Sequence, residues 1–113
     1  MANGRSVRLA MFVKISADNT VSLEDRDNFR AFKLLVTGNP SKLDAARRTL
    51  NGIAELPDQD TAWILEAALR HWPDVARDQA WQQNLSTMIE KARPHGWIDE
   101  QRKAIKAHIE WQE

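Results

Sequence analysis

Apolar and mixed positions alternate over the first fifteen residues of the chain. The alternate apolar residues are Val7, Leu9, Met11, Val13 and Ile15. A period of two places these side chains on one face of a β-strand, whereas a helix would spread them around its circumference. Residues 16–19 have the composition of a turn, and residues 20–22 can return as a second short strand. The pattern therefore predicts a strand or short hairpin over residues 7–22.

From residue 23 to residue 113 the apolar spacing becomes that of amphipathic helices. Apolar residues recur at intervals of three and four in segments bounded by Asp, Ser, Gly and Pro, which commonly start or end helices. The apolar stripes are Phe29, Phe32, Leu35 and Val36; Leu43, Ala46, Leu50 and Ile53; Ala62, Leu65, Leu69 and Trp72; Trp81, Leu85, Met88, Ile89 and Ala92; and Ile105 with Ile109. The sequence predicts a mainly α fold: one domain over residues 1–113, with about five short helices in a compact bundle after the N-terminal strand or hairpin.

Composition narrows the class of protein. The 113 residues are 42% hydrophobic and 28% charged, which is ordinary for a folded domain. Sixteen basic and sixteen acidic side chains balance, which argues against a dedicated nucleic-acid binder and against a polybasic membrane patch. The chain has no cysteine, so disulfides, thiol catalysis and thiolate metal sites are excluded.

Targeting signals are not evident in the sequence. The apolar run over residues 9–13 ends at Lys14 and is shorter than the apolar region of a signal peptide. No stretch approaches the roughly 20 apolar residues of a membrane span. We expect a cytoplasmic protein with no membrane partner.

Tryptophan is the most informative residue type, with five copies and no tyrosine. On its predicted helix, Trp63 lies about 160° from the apolar stripe and beside Arg70. Either that helix is buried on two sides or Trp63 contacts a partner. Trp111 lies about 120° from the Ile105 line, which suggests a second neighbour for the last helix, and another protomer is one candidate.

Histidine marks a second group of candidate residues. His95 lies in the segment Arg93-Pro94-His95-Gly96-Trp97, where a cation, an imidazole and an indole share one loop between predicted helices. This loop is the best candidate for the mouth of a pocket, with His108 on the following helix. The spacing of His95, Glu100 and His108 matches no metal-ligand pattern, so we expect neither a metal nor a cofactor.

No catalytic motif is present, and the sequence favours a non-enzymatic interaction, regulatory or accessory module that binds protein, itself included. The predicted partner or ligand surface comprises Trp63, Arg70, Arg93, His95, Trp97, His108 and Trp111. The alternative is a small-molecule-binding domain or small enzyme whose pocket lies between the last two helices, with Arg93, His95, Trp97 and His108 at its mouth.

A DNA-binding regulator is a third hypothesis. The predicted second and third helices could imitate a helix-turn-helix motif, with Lys42, Arg47 and Arg48 on the first of them. The connecting segment is acidic, however, and the presumed recognition helix carries Glu66 and only one cation, Arg70. Phosphate contacts would therefore be poor, and the sequence disfavours a nucleic-acid partner.

Overall fold

The computed structural model describes residues 10–113, which form a curled, sheet-based α/β fold. Seven strands of this region form one sheet: β1 Met11–Ile15, β2 Val21–Glu24, β3 Phe32–Thr37, β4 Ala54–Glu55, β5 Thr61–Leu65, β6 Ile98–Asp99 and β7 Ala104–Gln112. The helices of the same region are α1 Leu43–Thr49, α2 Glu66–Arg70 and α3 Gln79–Ala92, with 3-10 turns at Pro40–Lys42 and Arg93–His95.

The strand order is β2-β1-β3-β7-β5-β4, and β6 pairs with β7 outside this path. β1 and β2 form an antiparallel hairpin, while β1, β3 and β7 run parallel to one another. β5 and β6 are antiparallel to β7, and β4 is antiparallel to β5. The last strand of the chain therefore lies in the interior of the sheet, where it joins the N-terminal strands to the later ones.

One face of the sheet carries the hydrophobic core. The strand residues in the core are at alternate positions, among them Val13, Leu34, Ile64, Ile105 and Ile109. Each of the three helices packs onto this face through buried side chains, which are Ala46, Leu69, Trp81, Leu85 and Ile89. The intervening strand positions, such as Lys106 and His108, consequently lie on the opposite face.

The predicted mainly helical bundle is wrong. Residues 32–37 and 104–112 are strands, residues 61–65 are a strand that leads into the five-residue helix α2, and residues 25–31 are a loop. Ile105 and Ile109 are four residues apart, a spacing that satisfies a helix and a strand equally. The small Ala107 between them completes a period of two, and its low hydrophobicity hides that period from pattern analysis.

Two helices and the hairpin form where the pattern predicts them. α1 begins just after a 3-10 turn that Asn39 caps, and α3 begins after Asp78, whose carboxylate accepts a hydrogen bond from Trp81 N at 3.0 Å. The predicted strand positions Val7 and Leu9 lie outside the described residues. β1 has a neighbour on each side, β2 and β3, so this strand finds its partners within the chain.

Trp81 fixes the loop that precedes β3. Its side chain is 2% exposed, its Nε1 donates a hydrogen bond to the Arg26 carbonyl at 2.7 Å, and its ring lies 5.7 Å from that of Phe29. From the other side, Met11 N donates to the carbonyls of Asn28 and Ala31, each at 3.0 Å. The loop over residues 25–31 is thus held by both α3 and β1.

We expect Trp81→Phe to lower the free energy of unfolding by about 1–3 kcal/mol, because the Arg26 carbonyl loses a part-buried donor and the core loses ring volume. Trp111→Phe is the matched control, since Trp111 Nε1 also donates to a carbonyl, that of Gln59, but at an exposed position. Its cost should stay below about 1 kcal/mol. Urea unfolding of both variants is the measurement, and equal costs would contradict the anchoring role of Trp81.

Candidate functional site

A cleft lies between the loop before β3, the C-terminal end of α3 and the middle of β7. Its volume is about 1360 Å³. One wall, here called the loop wall, is residues 25–32. The opposite wall, here called the basic wall, consists of Met88, Lys91, Ala92, His95, Trp97, Ile105, Lys106 and His108.

The cleft follows from the pairing of β7. Residues 104–105 pair with β5 and also with β6, so β6 lies on the other edge of β7. β3 pairs with residues 108–112 on that same edge. The cleft lies where these two neighbours meet: Phe32, at the start of β3, lines it on one side, and Trp97, just before β6, lines it on the other.

Trp97 and His95 form a stacked pair at the rim of the cleft. Their ring centroids are 4.4 Å apart and the interplanar angle is 18°. Gly96 separates them in the left-handed conformation, with φ of 76°, which ends the 3-10 turn and reverses the chain. Trp97 is 47% exposed and is the one large hydrophobic side chain of residues 10–113 that is left exposed. His95 and Trp97 of the predicted loop therefore line a cleft, whereas Arg93 does not.

His108 and Trp63 lie on the sheet face opposite the core. Lys106 N donates a hydrogen bond to the Trp97 carbonyl at 2.8 Å, and Lys106 is in register with Trp63 on β5. Trp97, Lys106 and Trp63 thus occupy neighbouring positions across three adjacent chain segments, and Trp63 is half-buried. The helical angle used to place Trp63 in the sequence does not apply, because this residue belongs to a strand.

Charge differs between the two walls. The loop wall carries Asp25 and Asp27 beside Arg26 and Arg30, whereas the basic wall carries lysines and histidines and no carboxylate. Within residues 10–113, no ion pair joins these arginines, Lys91 or Lys106 to a carboxylate. Asp60, the third carboxylate that lines the cleft, lies next to the basic wall, where its carbonyl accepts a hydrogen bond from Ile109 N at 2.8 Å. The positive charge of the basic wall is therefore not neutralised by ion pairs with the described residues.

Arg93 lies beside the stacked pair but is held by its own neighbours. Its guanidinium donates to Glu100 at 2.6 Å and to Glu90 at 2.8 Å. The Glu100 carboxylate, followed by that of Glu90, raises the pKa of Arg93 above its ordinary value. Arg93 fixes the end of α3 to the segment after β6, and it does not line the cleft.

Arg70 and Trp111 lie away from the cleft. Trp111 packs against the edge of the core and donates to the Gln59 carbonyl at 2.8 Å. Its predicted second stripe on a terminal helix is wrong, because residue 111 belongs to β7. Arg70 joins α2 to α3 by hydrogen bonds to Glu66, Gln82 and Ser86 at 2.7–3.2 Å.

The loop wall could not be predicted from the apolar pattern of the sequence. Phe29 and Phe32 were assigned to the buried stripe of a helix, whereas both line the cleft and are half-buried. The polar run Asp25-Arg26-Asp27-Asn28 favours a loop here, but acidic residues are also typical of the first turn of a helix. The predicted pocket between the last two helices is therefore corrected to a cleft between a loop, α3 and β7.

Metal ligation has no candidate cluster in the part of the chain described. No three His, Asp or Glu side chains of residues 10–113 lie close enough together to hold an ion. In the helix-turn-helix hypothesis, only residues 66–70 of the presumed recognition helix are helical, because residues 61–65 are β5.

We expect Arg70→Lys to lower the free energy of unfolding by about 1 kcal/mol and to leave the cleft unchanged. A lysine cannot reproduce the fork of bonds to Glu66, Gln82 and Ser86 that joins the two helices. Arg77→Lys is the control, since Arg77 is exposed and makes no hydrogen bond or ion pair within residues 10–113. Urea unfolding tests the difference, and an unchanged midpoint for Arg70→Lys would show that the fork adds nothing.

Comparison of the chain with known protein families, with characterised proteins and with solved structures gives no match. None of the helices in residues 10–113 has the length and apolar character needed to cross a membrane. The function of the chain is therefore inferred from the geometry of the cleft itself.

Proposed function

We propose that this chain is a non-enzymatic binding module whose cleft receives an extended segment of a partner protein. The observation that carries the proposal is the position of Trp97, which lines this cleft and is the one large apolar side chain of residues 10–113 that is exposed. Exposed aromatic side chains in a concave site are typical anchors of protein recognition.

The size of the cleft favours a polypeptide over a small molecule. Small-molecule pockets are typically about 300–1,000 Å³ and enclose most of their ligand. This cleft has a volume of about 1360 Å³, and most of its lining residues are exposed. A chain segment that extends past both ends of a cleft needs no such enclosure. Binding of a small molecule in this cleft stays an alternative hypothesis, and it can be tested with the same Trp97 variants.

Both walls are held in place before a partner arrives. Trp81 and Met11 N fix the loop wall from below, and the basic wall stands on α3 and β7. Phe29 and Phe32 face the cleft from the wall opposite Trp97. Pre-ordered walls reduce the entropy lost on binding, so a modest contact area can give useful affinity.

The histidines support binding more than catalysis. Within residues 10–113, neither the His95 ring nor the His108 ring has a hydrogen-bond partner that would orient it. A general base is usually held by such a partner. The His95 ring instead stacks on Trp97, which makes it part of an aromatic surface.

The test is a selection of random peptides, displayed on phage, against the full chain. Peptides that bind in the cleft should bind the Trp97→Ala protein at least about tenfold more weakly, because the indole is the central anchor. Trp97→Phe should restore most of the affinity. His71→Ala, at an exposed position outside the cleft, is the control for surface changes.

Thermal unfolding should show that Trp97→Ala leaves stability nearly unchanged, since the side chain is 47% exposed. Two results would overturn the proposal: no peptide is enriched, or the selected peptides bind the Trp97→Ala protein as tightly as the original. If a small-molecule library binds in a Trp97-dependent way and peptides do not, the occupant is a small molecule.

Self-association is a second candidate, and the position of Trp63 favours it. Trp63 lies half-buried on the sheet face opposite the core, in register with Lys106 and Glu55. We expect sedimentation equilibrium to show a dimer at high protein concentration and Trp63→Ala to weaken it. Trp63→Phe, which keeps an apolar ring at this position, is the control. A clean monomer at high concentration would contradict self-association, and a Trp63→Ala protein that unfolds would show that Trp63 is a structural residue.

A further inference from the structure

We infer that the occupant of the cleft is an acidic segment, in which one aromatic or large aliphatic residue is flanked by carboxylates. This inference rests on the proposed function and deepens it. It depends on the chemistry of the basic wall, which Trp97 shares with Lys91, Lys106 and two imidazoles.

The basic wall carries two lysines that are unpaired among the described residues. Lys91 and Lys106 are exposed, and neither forms an ion pair within residues 10–113. Elsewhere in the described region, Lys33, Arg70 and Arg102 have carboxylate partners. Lys42 and Lys103 form no ion pair within residues 10–113 either, so it is the position of Lys91 and Lys106 in the lining of the cleft that sets them apart. A partner that brings carboxylates would find cations that need not first release an internal partner.

The two lysines lie on different kinds of element, a helix and a strand. Lys91 lies in the last turn of α3, where a cation interacts favourably with the helix dipole whether or not a ligand exists. Lys106 lies on a strand, where that explanation does not apply. Two lysines from different elements thus line the same wall, and the helix dipole accounts for only one of them.

The positions of Trp97 and Lys106 determine how far a carboxylate of the ligand lies from its apolar anchor. Lys106 N donates to the Trp97 carbonyl, so the two residues are neighbours on adjacent chain segments, which are about 5 Å apart. An extended peptide advances about 3.3 Å per residue. A carboxylate one or two residues from the apolar anchor can therefore reach Lys106 while the anchor packs on Trp97.

The carboxylates that line the cleft favour an acidic peptide over a nucleic acid. A single strand of RNA or DNA carries a negative charge at every nucleotide, and it would bring some of these close to Asp25, Asp27 and Asp60. A peptide can place its carboxylates toward the basic wall and neutral side chains toward the loop wall. The division of charge between the walls favours the peptide.

The experiment compares three fluorescent peptide pools that share a central tryptophan and a fixed length. The residues flanking the tryptophan are Asp or Glu in the first pool, Ser or Gln in the second and Lys or Arg in the third. Fluorescence anisotropy with the full chain should show that the acidic pool binds tightest and that its affinity falls as salt is added.

Single variants test the two lysines. Lys91→Gln and Lys106→Gln should each weaken binding of the acidic pool by about two- to fivefold and flatten its dependence on salt, while binding of the neutral pool stays unchanged. Arg48→Gln is the matched control for Lys91→Gln, because Arg48 lies in the last turn of α1 and outside the cleft. It should leave the binding of all pools unchanged.

The possible failures can be told apart. If the neutral or basic pool binds as tightly as the acidic pool and loses affinity in Trp97→Ala, the acidic inference is overturned and the binding module stands. If no pool depends on Trp97, the proposed function fails as well. If an oligouridylate displaces the acidic pool at equal charge concentration, the occupant is a nucleic acid and the inference is overturned.

Discussion

The arrangement of β7 determines both the fold and the cleft. Residues 104–108 of β7 pair with β5 along one edge, and the strand pairs with β6 and β3 in succession along the other. β6 is only two residues long and antiparallel to β7, whereas β3 is parallel to it, so the two cannot merge into one continuous neighbour. A cleft forms where they meet. The feature that joins the two parts of the sheet therefore also creates the concave site.

Trp81 extends this constraint to the loop wall. Loops usually lie at the surface and have few contacts that fix them. Here a core indole reaches out of α3 to the Arg26 carbonyl, and the same ring packs near Phe29. Core packing and the shape of the cleft are therefore coupled: a change in how α3 sits on the sheet would move the loop wall as well. This explains how a segment without regular structure can present a defined surface.

Local signals account for the part of the fold that the sequence predicts. Asp78 caps α3, and the buried residues Trp81, Leu85 and Ile89 follow at helical spacing, so propensity, capping and periodicity agree. The failures share a cause. In β7, the apolar residues Ile105 and Ile109 are four residues apart, and Ala107 between them contributes little hydrophobicity. β7 is a strand because β3, β5 and β6 supply hydrogen-bond partners from distant parts of the chain. Such pairing has no signature in a window of one segment.

The candidate site divides in the same way. His95 and Trp97 could be predicted because a Pro and a Gly frame them in a loop, and loop residues that carry aromatic and basic groups are plausible binding residues from the sequence alone. Lys91 and Lys106 could not, because their proximity to Trp97 comes from the end of a helix and the pairing of a strand that was assigned as a helix. Balanced total charge also concealed them, since a net charge of zero carries no information on how charge is distributed. Only the folded arrangement separates a basic wall from a neutral one, and the proposed selectivity for an acidic segment depends on that separation.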